Sequence, residues 1–260
     1  MSAPLPARAL PLRRMPVFFI TSDQVQNGTA TITGPLLHHL RTSLRTRIGE
    51  TLWVGDDLRR RHLIRVTQLD RHQLVGQVLE EHDGPLRRTP SVTIGQALLK
   101  SERMDWTIQK ATELGAASFV PLMGRYVVIR PKTARVATQQ QRWQRIALEA
   151  AQQAERWEVP TVAAPCEAAE FFAKQPPADV NLILSERGPG QSLASVPLPS
   201  SPESTIVIAT GPEGGWSKEE LTIALQHGFT PVTLGNRILR AETAALAALS
   251  ILQSRVGELG

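Results

Sequence analysis

The 260-residue sequence predicts an α/β protein in which a small β-rich unit precedes a larger unit of alternating strands and helices. Up to about residue 88, short apolar or alternating runs are separated by turn residues, as in strands. From residue 91 onward, strand-like runs alternate with helical periodicity, which is typical of a mostly parallel sheet. The distribution of charged residues also changes near residue 90. Residues 1–90 carry 13 Lys and Arg against 8 Asp and Glu, and residues 91–260 carry 16 of each.

Composition excludes several classes of protein. Hydrophobic residues at 42% and charged residues at 20% are close to globular averages, which argues against a disordered, collagen-like or coiled-coil chain. The single cysteine, Cys166, cannot build a disulfide framework or a thiolate metal cluster. No run approaches eighteen consecutive apolar residues, so we expect no membrane contact and a soluble, cytoplasmic protein.

The first 88 residues predict a short tail and a small barrel. Residues 1–14 are rich in Pro, Ala and Arg without periodicity and predict a disordered extension. Residues 15–88 form the barrel unit, and its one helix, Pro35–Arg47, carries a stripe of leucines that ends with Leu44. The predicted strands are Val17–Thr21, Thr29–Ile32, Thr51–Val54, Leu63–Gln68 and Gln73–Leu79.

Residues 89–260 predict the α/β unit, entered through a Gly84-Pro85 linker. Continuous apolar runs indicate strands that are covered on both faces. The predicted strands are Ser91–Leu99, Ala117–Leu122, Tyr126–Ile129, Val180–Ser185, Thr205–Thr210 and Pro231–Leu234. The predicted helices are Ser101–Leu114, Thr138–Trp157, Ser217–His227 and Ala241–Ser254. Ser101 is the expected N-cap of the first helix, a capping box opens the third at Ser217, and the Pro/Ser-rich stretch Gly188–Pro202 is expected to be a surface loop.

One candidate ligand loop follows the strand at 205–209 and reads Thr210-Gly211-Pro212-Glu213-Gly214-Gly215. Ligands of open α/β sheets bind beyond the carboxyl ends of the strands. Glycines let the backbone approach a ligand closely, and the following helix start offers free amide groups. The alternative, a strand-to-helix turn that binds nothing, stays open from spacing alone.

A second candidate loop, residues 234–244, follows the last strand and contains Arg237, Arg240 and Glu242. As an ordinary helix start it would place Glu242 favourably against the helix dipole and leave the arginines solvated. That interpretation does not explain the apolar pair Ile238-Leu239 inside a charged loop. Two such loops at one edge of the sheet predict a ligand pocket.

Several motifs are missing. No GxGxxG follows a strand and no GxxxxGK[ST] is present, so the main signals for Rossmann dinucleotide binding and P-loop nucleotide hydrolysis are lacking. The six histidines are not spaced as metal ligands, and no GxSxG elbow is present.

Gly211–Leu221 (GPEGGWSKEEL) and Leu234–Leu249 (LGNRILRAETAALAAL) resemble the two C-terminal signature loops of the SPOUT methyltransferases, and more narrowly of the RsmE family. This chain departs from the family pattern at Tyr126, where a small polar residue is expected after Arg125. Three further segments support the resemblance along nearly the whole chain: His38–Glu50, Gln96–Leu122 and Arg142–Pro160.

The resemblance implies a SPOUT α/β trefoil-knot catalytic domain with a small N-terminal PUA-like β-barrel, assembled as a two-fold homodimer. It implies S-adenosylmethionine as cofactor, with no metal, because the methyl of a sulfonium needs only in-line attack by a nucleophile. The implied reaction is methylation of uridine N3 in 16S ribosomal RNA, at uracil 1498 in the family's nomenclature. The partner would be 16S rRNA or the small ribosomal subunit, and not DNA.

The resemblance also assigns site residues. Arg240 is the leading candidate to stabilise the uridine anion, ahead of Arg237 and Arg125, and Glu242 or Glu213 could accept the proton or only hold the loops. The cofactor-binding residues implied are Leu184, Thr210, Gly211, Pro212, Glu213, Gly214, Gly215, Leu234, Gly235, Ile238, Leu239, Arg240, Thr243 and Ala244. The RNA-binding residues implied are Arg41, Arg45, Arg47, Arg59, Arg60, Arg61, Arg65 and Arg125. For Arg59–Arg61, a solvated hairpin tip is the alternative.

Two other functions stay open at this point. A non-catalytic ribosome-assembly factor would keep the basic N-terminal unit and lack affinity for S-adenosylmethionine. A SPOUT methyltransferase that acts on a ribose or base of transfer RNA would share both loops.

Overall fold

The computed structural model describes residues 16–174, 178–185 and 190–260. The chain divides into two compact units, Met1–Gly84 and Pro85–Gly260, close to the predicted boundary after residue 88. The predicted disordered extension, residues 1–14, lies outside the described residues, as do residues 188 and 189 of the predicted surface loop. In the described part of the chain, no helix is long and apolar enough to cross a membrane.

Within its described residues, the first unit is a six-stranded sheet with one α-helix. Its elements are β1 (Val17–Phe19), β2 (Val25–Gln26), β3 (Thr29–Ile32), α1 (Gly34–Thr42), β4 (Thr51–Gly55), β5 (Arg60–Leu69) and β6 (Leu74–Asp83). The strand order is β1-β4-β5-β6-β3-β2, with β1 parallel to β4 and the other pairs antiparallel. Ile32, Leu40, Ile64 and Leu74 are fully buried between helix and sheet. Closure of this sheet into a PUA-like barrel stays a prediction.

Helix α1 is shorter than predicted. It ends at Thr42 instead of continuing to Arg47, and Arg45 takes a left-handed backbone conformation with φ 54°. The leucine stripe suggested a longer helix, but Leu44 is 46% exposed and therefore supplies little packing energy to extend it.

The second unit is an eight-stranded sheet with helices on both faces. Its elements are β7 (Ser91–Ala97), α2 (Ser101–Glu113), β8 (Ser118–Met123), α3 (Val136–Gln153), β9 (Thr161–Val162), β10 (Cys166–Glu167), α4 (Ala168–Lys174), β11 (Val180–Leu184), β12 (Gln191–Ser192), β13 (Thr205–Thr210), α5 (Lys218–Gln226), β14 (Thr230–Thr233) and α6 (Ala241–Val256). The strand order is β10-β8-β7-β13-β11-β14-β12, with β9 paired to β8 and every pair parallel.

Alternation along the central strand β13 shows how the sheet is covered. Ile206 and Ile208 pack into a core with α2, α3 and α6, whereas Val207 and Ala209 pack on the opposite face with α4 and α5. Successive strand residues point to opposite faces, so a strand buried on both sides is apolar throughout. The prediction of a parallel sheet covered on both faces is confirmed.

Three local predictions in this unit are wrong. The predicted surface loop Gly188–Pro202 contains the strand β12 and the buried residues Leu193 and Val196. Residues 126–129 form no strand, because Val128 and Ile129 are exposed and pair with no strand of the described structure. The short strands β9 and β10 pair with β8 instead. The N-cap of α2 is Lys100 and not Ser101, since Lys100 is the last residue with extended backbone. The capping box at Ser217 and Glu220 is confirmed, and Gly228 follows α5 with a positive φ of 82°.

Candidate functional site

A cavity of about 760 Å³ lies where the strands β13, β11 and β14 end. These three strands are neighbours in the sheet and run parallel, so their carboxyl ends meet at one edge. The loops after β13 and β14 form most of the wall, and Leu184 and Ser185 contribute the end of β11. The cavity therefore sits where open α/β sheets bind their ligands, and its size is that of a small-molecule site.

The structure brings together all but two of the predicted cofactor residues. Arg240 and Thr243 lie at the start of α6 and are not part of the cavity wall. The predicted residues that line the cavity are Leu184, Thr210, Gly211, Pro212, Glu213, Gly214, Gly215, Leu234, Gly235, Ile238, Leu239 and Ala244. Residues of the wall that were not in the predicted set are Ser185, Trp216, Lys218, Leu221, Val232, Thr233, Asn236, Arg237 and Ala241.

The loop after β13 carries buried polar groups that have no hydrogen-bond partner within the described protein. Thr210 ends β13, and its buried Oγ1 makes no hydrogen bond there. The indole of Trp216 packs on Gly211, where an added Cβ would lie 3.2 Å from Nε1, and that Nε1 is also buried without a partner. Gly215 has a φ of 73° and open space beside it. Buried polar groups normally carry hydrogen bonds, so this wall is suited to a polar ligand.

The loop after β14 is more open to solvent. Gly235 has a φ of 107° with no atom near its missing side chain, and Ile238 is 68% exposed. Arg240 is the N-cap of α6 and is exposed, and its carbonyl accepts a hydrogen bond from Ala244 N at 2.8 Å. Arg240 therefore lies at the N-terminus of α6 and outside the cavity wall.

Arg103 of α2 links the two loops, a role that no motif in the sequence indicates. Its Nη1 donates to Glu213 Oε1 at 3.0 Å, and its Nε lies 3.7 Å from Glu242 Oε1. The other carboxylate oxygen of Glu242, Oε2, is buried and makes no hydrogen bond with the described residues. Both candidate proton acceptors are therefore held by one guanidinium.

Glu220 fixes the start of α5 to the segment after β8. One of its carboxylate oxygens accepts from Ser217 N and the other from Arg125 N, both at 2.8 Å. The pKa of Glu219 is lowered by its own backbone N–H and by the Ser217 hydroxyl, with a smaller contribution from Arg125. This network places Arg125 next to the cavity loop although 95 residues separate it from Glu220.

The basic residues predicted to bind RNA in the first unit fall into two groups. The arginines that are exposed are Arg41, Arg45, Arg47 and Arg65. Arg59, Arg60 and Arg61 are half-buried around the turn between β4 and β5. Arg60 lies 2.9 Å from the buried carboxylate of Asp56, so its charge stabilises this turn. In the ranges the structure describes, no three His, Cys, Asp or Glu side chains cluster as metal ligands.

Comparison with known proteins identifies the family. A family model described as an RNA methyltransferase domain matches residues 87–253. Ribosomal RNA small subunit methyltransferase E of Synechocystis is 36% identical over 89% of this chain and 75% of its own length. The enzyme of the same name from Bacillus subtilis is 30% identical over 90% and 93%. The crystal structure of ribosomal RNA small subunit methyltransferase E from Neisseria gonorrhoeae bound to S-adenosyl methionine matches with a TM-score of 0.79 and 32% identity. This alignment covers 93% of the chain and 98% of that structure.

These matches span both units of the chain and include relatives that are at least 30% identical, and the resemblance to the RsmE family is thereby confirmed. The chain belongs to the ribosomal RNA small subunit methyltransferase E family.

Proposed function

We propose that this protein transfers a methyl group from S-adenosylmethionine to N3 of a uridine in 16S ribosomal RNA, the position that family nomenclature numbers 1498. The observation that carries the proposal is a cavity walled by both glycine-bearing loops at the carboxyl ends of three adjacent strands. The related structure from Neisseria gonorrhoeae, 32% identical, is bound to S-adenosyl methionine.

The cavity wall suits this cofactor. The unpartnered Thr210 Oγ1 and Trp216 Nε1 can bind polar groups of a ligand, and the open positions at Gly215 and Gly235 let the backbone approach it. Backbone groups of Thr210, Leu234 and Leu239 would hold the adenosine. When bound, S-adenosylmethionine supplies an electrophilic methyl carbon.

The residues of the chain have to prepare the uridine. N3 of a neutral uridine carries a proton between two carbonyl groups, so it becomes a good nucleophile only when that proton leaves. A guanidinium beside the base stabilises the resulting anion, and we assign this role to Arg240, with Arg237 and Arg125 as the alternatives. Because Arg103 holds both Glu213 and Glu242, we favour a loop-fixing role for these carboxylates, and the N3 proton would then pass to solvent water.

The basic residues of the first unit would position the RNA. Arg41, Arg45, Arg47 and Arg65 are exposed and can contact phosphates, which gives affinity without sequence preference. Arg59, Arg60 and Arg61 border the turn between β4 and β5 and would extend this surface, and Arg60 also pairs with Asp56. We also propose that this unit closes as a PUA-like barrel and is the RNA-binding domain.

We extend the proposal to architecture and assembly. The catalytic unit would have the SPOUT trefoil knot, with α6 threaded through a loop, and would pair with a second copy so that each site is completed near the two-fold interface. The protein would act in the cytoplasm, where its ribosomal substrate is found. In support, the sheet is wholly parallel and β13 is inserted between β7 and β11, which precede it in the chain.

Nucleoside analysis of the reaction product tests this function. The purified protein is incubated with S-adenosylmethionine and, in separate reactions, with small ribosomal subunits or transfer RNA from a strain that lacks the gene, and the RNA is then digested for mass spectrometry. We expect one additional 3-methyluridine per subunit and calorimetric binding of the cofactor. A 2′-O-methylated nucleoside in transfer RNA would support the related transfer-RNA enzyme instead, and an absence of cofactor binding would support a non-catalytic assembly factor.

A further inference from the structure

The segment that follows β8 is strongly basic. Residues 125–135, which we call the basic segment, read RYVVIRPKTAR and contain Arg125, Arg130, Lys132 and Arg135 but no Asp or Glu. The equal numbers of acidic and basic residues across 91–260 conceal this local excess. Most of the segment has no regular secondary structure, since only the 3-10 turn Thr133–Arg135 interrupts the coil before α3.

Apolar side chains are exposed between these cations. Tyr126 is 51% exposed, Val128 is 68% exposed and Ile129 is 46% exposed. Single exposed apolar residues are common on protein surfaces, but a group of three within four residues indicates a surface that contacts a ligand. Tyr126 is also the only tyrosine of the chain.

The basic segment contacts helix α5 and one of the cavity loops. Arg125 N donates to Glu220 Oε1 at 2.8 Å, and Arg130 Nη2 donates to Gly124 O at 3.0 Å. Tyr126 packs directly on Gly214 of the cavity wall, where an added Cβ would lie only 2.8 Å from Tyr126 Cβ. Half of the tyrosine is therefore presented to solvent at the rim of the candidate active site.

The charges of the basic segment are only partly neutralised. Arg130 Nη1 pairs with Glu167 Oε1 at 2.7 Å, and Arg125 is near Glu219. Lys132 and Arg135 are exposed, and neither forms an ion pair with any residue in the described ranges. Two cations thus remain available for an anionic partner that runs along the segment.

We propose that the basic segment is a platform for single-stranded RNA, on which one base of the substrate stacks on Tyr126 while neighbouring phosphates contact Lys132 and Arg135. This inference rests on the proposed RNA methylation and adds a surface that recognises its substrate. An exposed aromatic ring interleaved with cations suits unpaired nucleotides, because a base inside a duplex has no free face to stack. The packing of Tyr126 on Gly214 would place the stacked base beside the methyl-transfer site.

Fluorescence anisotropy with a labelled, uridine-containing single-stranded RNA oligonucleotide tests the stacking. Tyr126→Ala keeps the Cβ that packs on Gly214 but removes the ring, so we expect RNA affinity to fall by about 5- to 100-fold. Tyr126→Phe keeps the ring and should bind within about twofold of the wild type. Trp106→Ala is the matched control, because Trp106 is a 44% exposed aromatic residue of α2 outside the segment.

The salt dependence of the same titration tests the interaction with phosphates. Each phosphate of a single strand that a protein cation neutralises adds about 0.7 to the steepness of log affinity against log salt. Combined Lys132→Gln and Arg135→Gln substitutions should therefore make that dependence shallower by about 1.4. Arg145→Gln on α3, whose side chain is 79% exposed, controls for a general loss of charge and should leave the slope unchanged.

Further measurements separate this inference from the proposed function. If Tyr126→Ala binds RNA as tightly as the wild type while the wild type binds S-adenosylmethionine and forms 3-methyluridine, the platform is refuted and the function stands. If the wild type binds no cofactor, the proposed function fails, but the RNA titrations still decide the platform. A lower sedimentation coefficient for Tyr126→Ala with unchanged RNA affinity would assign the surface to association between copies of the chain.

Discussion

Arg103 Nη1 donates a hydrogen bond to Glu213 Oε1 at 3.0 Å, so a residue of α2 holds the loop that follows β13. The same guanidinium faces Glu242 of α6, which belongs to the segment that follows β14. One side chain thus fixes both loops of the cavity wall at the same time. Catalytic loops need such support from outside, because their own backbone has few neighbours to hold it.

Removing Arg103 should loosen the site without unfolding the protein. Its side chain is 40% exposed, and ion pairs this exposed contribute about 0–1 kcal/mol to stability. We expect Arg103→Ala to leave the melting temperature nearly unchanged, to weaken S-adenosylmethionine binding by about 2- to 10-fold and to lower methyl transfer further. Calorimetry and a turnover assay measure the two effects.

Two variants sharpen that experiment. Arg103→Lys keeps the charge but lacks the planar fork that reaches two carboxylates, so it should restore only part of the lost activity. Arg142→Gln is the control. Arg142 also pairs with a residue of α2, Asp105, but it belongs to neither cavity loop, so this variant should behave as the wild type. Unchanged cofactor affinity and turnover in Arg103→Ala would show that the loops need no such link.

Substitution of Arg240 should affect cofactor binding and methyl transfer to different extents. It lies outside the cavity wall but at the exposed start of α6, where a guanidinium can face the base and not the cofactor. Arg240→Ala should therefore keep cofactor affinity within a few-fold while methyl transfer falls by about 100-fold or more. Arg237→Ala serves as the comparison, because Arg237 lines the cavity wall and Arg240 does not. Equal losses of affinity and turnover in Arg240→Ala would reassign Arg240 to cofactor binding.

Trp216 offers a buried hydrogen-bond donor that the described protein does not use. Its Nε1 packs against Gly211, where an added Cβ would lie 3.2 Å away, and its ring packs edge-on against Phe172 with centroids 5.4 Å apart. Trp216→Phe should keep an aromatic ring in that packing and remove only the donor. A neutral hydrogen bond contributes about 1 kcal/mol, so we expect S-adenosylmethionine to bind about fivefold more weakly.

Trp143 provides the control for this substitution. Its Nε1 is also buried without a partner in the described structure, but Trp143 belongs to α3 and does not line the cavity. Trp143→Phe should leave cofactor affinity unchanged. Equal affinity for the wild type and Trp216→Phe would show that the indole donor does not contact the cofactor.

The cavity loops were predictable because their signals are local. The apolar run Thr205–Thr210 and the glycines that follow it specify a buried strand and a close backbone approach within eleven residues. The role of Arg103 was not predictable, because its partner Glu213 is 110 residues away and only the packing of α2 brings them together. Residues 126–129 led to a wrong prediction, since β-branched residues indicate a strand whether or not a neighbouring strand is available for pairing.

Glu220 should be the most sensitive position for stability near the site. It is 7% exposed and accepts hydrogen bonds from Ser217 N and Arg125 N, so its removal leaves a helix N-terminus and a loop unsatisfied. We expect Glu220→Ala to lower the free energy of unfolding by about 2–3 kcal/mol in urea titrations. Ser217→Ala removes only the N-cap hydroxyl and should cost about 1 kcal/mol. A loss below about 0.5 kcal/mol in Glu220→Ala would contradict this role.

Asp56 makes the stability of the first unit depend on pH. Burial alone would raise the pKa of this carboxyl group, but hydrogen bonds from Arg60 N and His62, together with the Arg60 guanidinium, outweigh burial and lower the pKa below its ordinary range. A carboxyl whose pKa is lower in the folded state stabilises the fold above its unfolded pKa of about 4. This stabilisation is lost as the pH falls through the folded pKa.

The variant Asp56→Asn tests the direction of this pH dependence. At neutral pH it removes charge-assisted hydrogen bonds, so the unfolding free energy of the first unit should fall by about 1.5–3 kcal/mol. As the pH falls from about 4 toward the lower folded pKa, the stabilisation by the wild-type carboxylate is lost, and the difference between the two proteins should shrink. Hydrogen exchange of peptides from β4 and β5 between pH 3 and pH 7 follows this unit separately from the catalytic unit. A difference that stays constant across the range would exclude Asp56 as the titrating group.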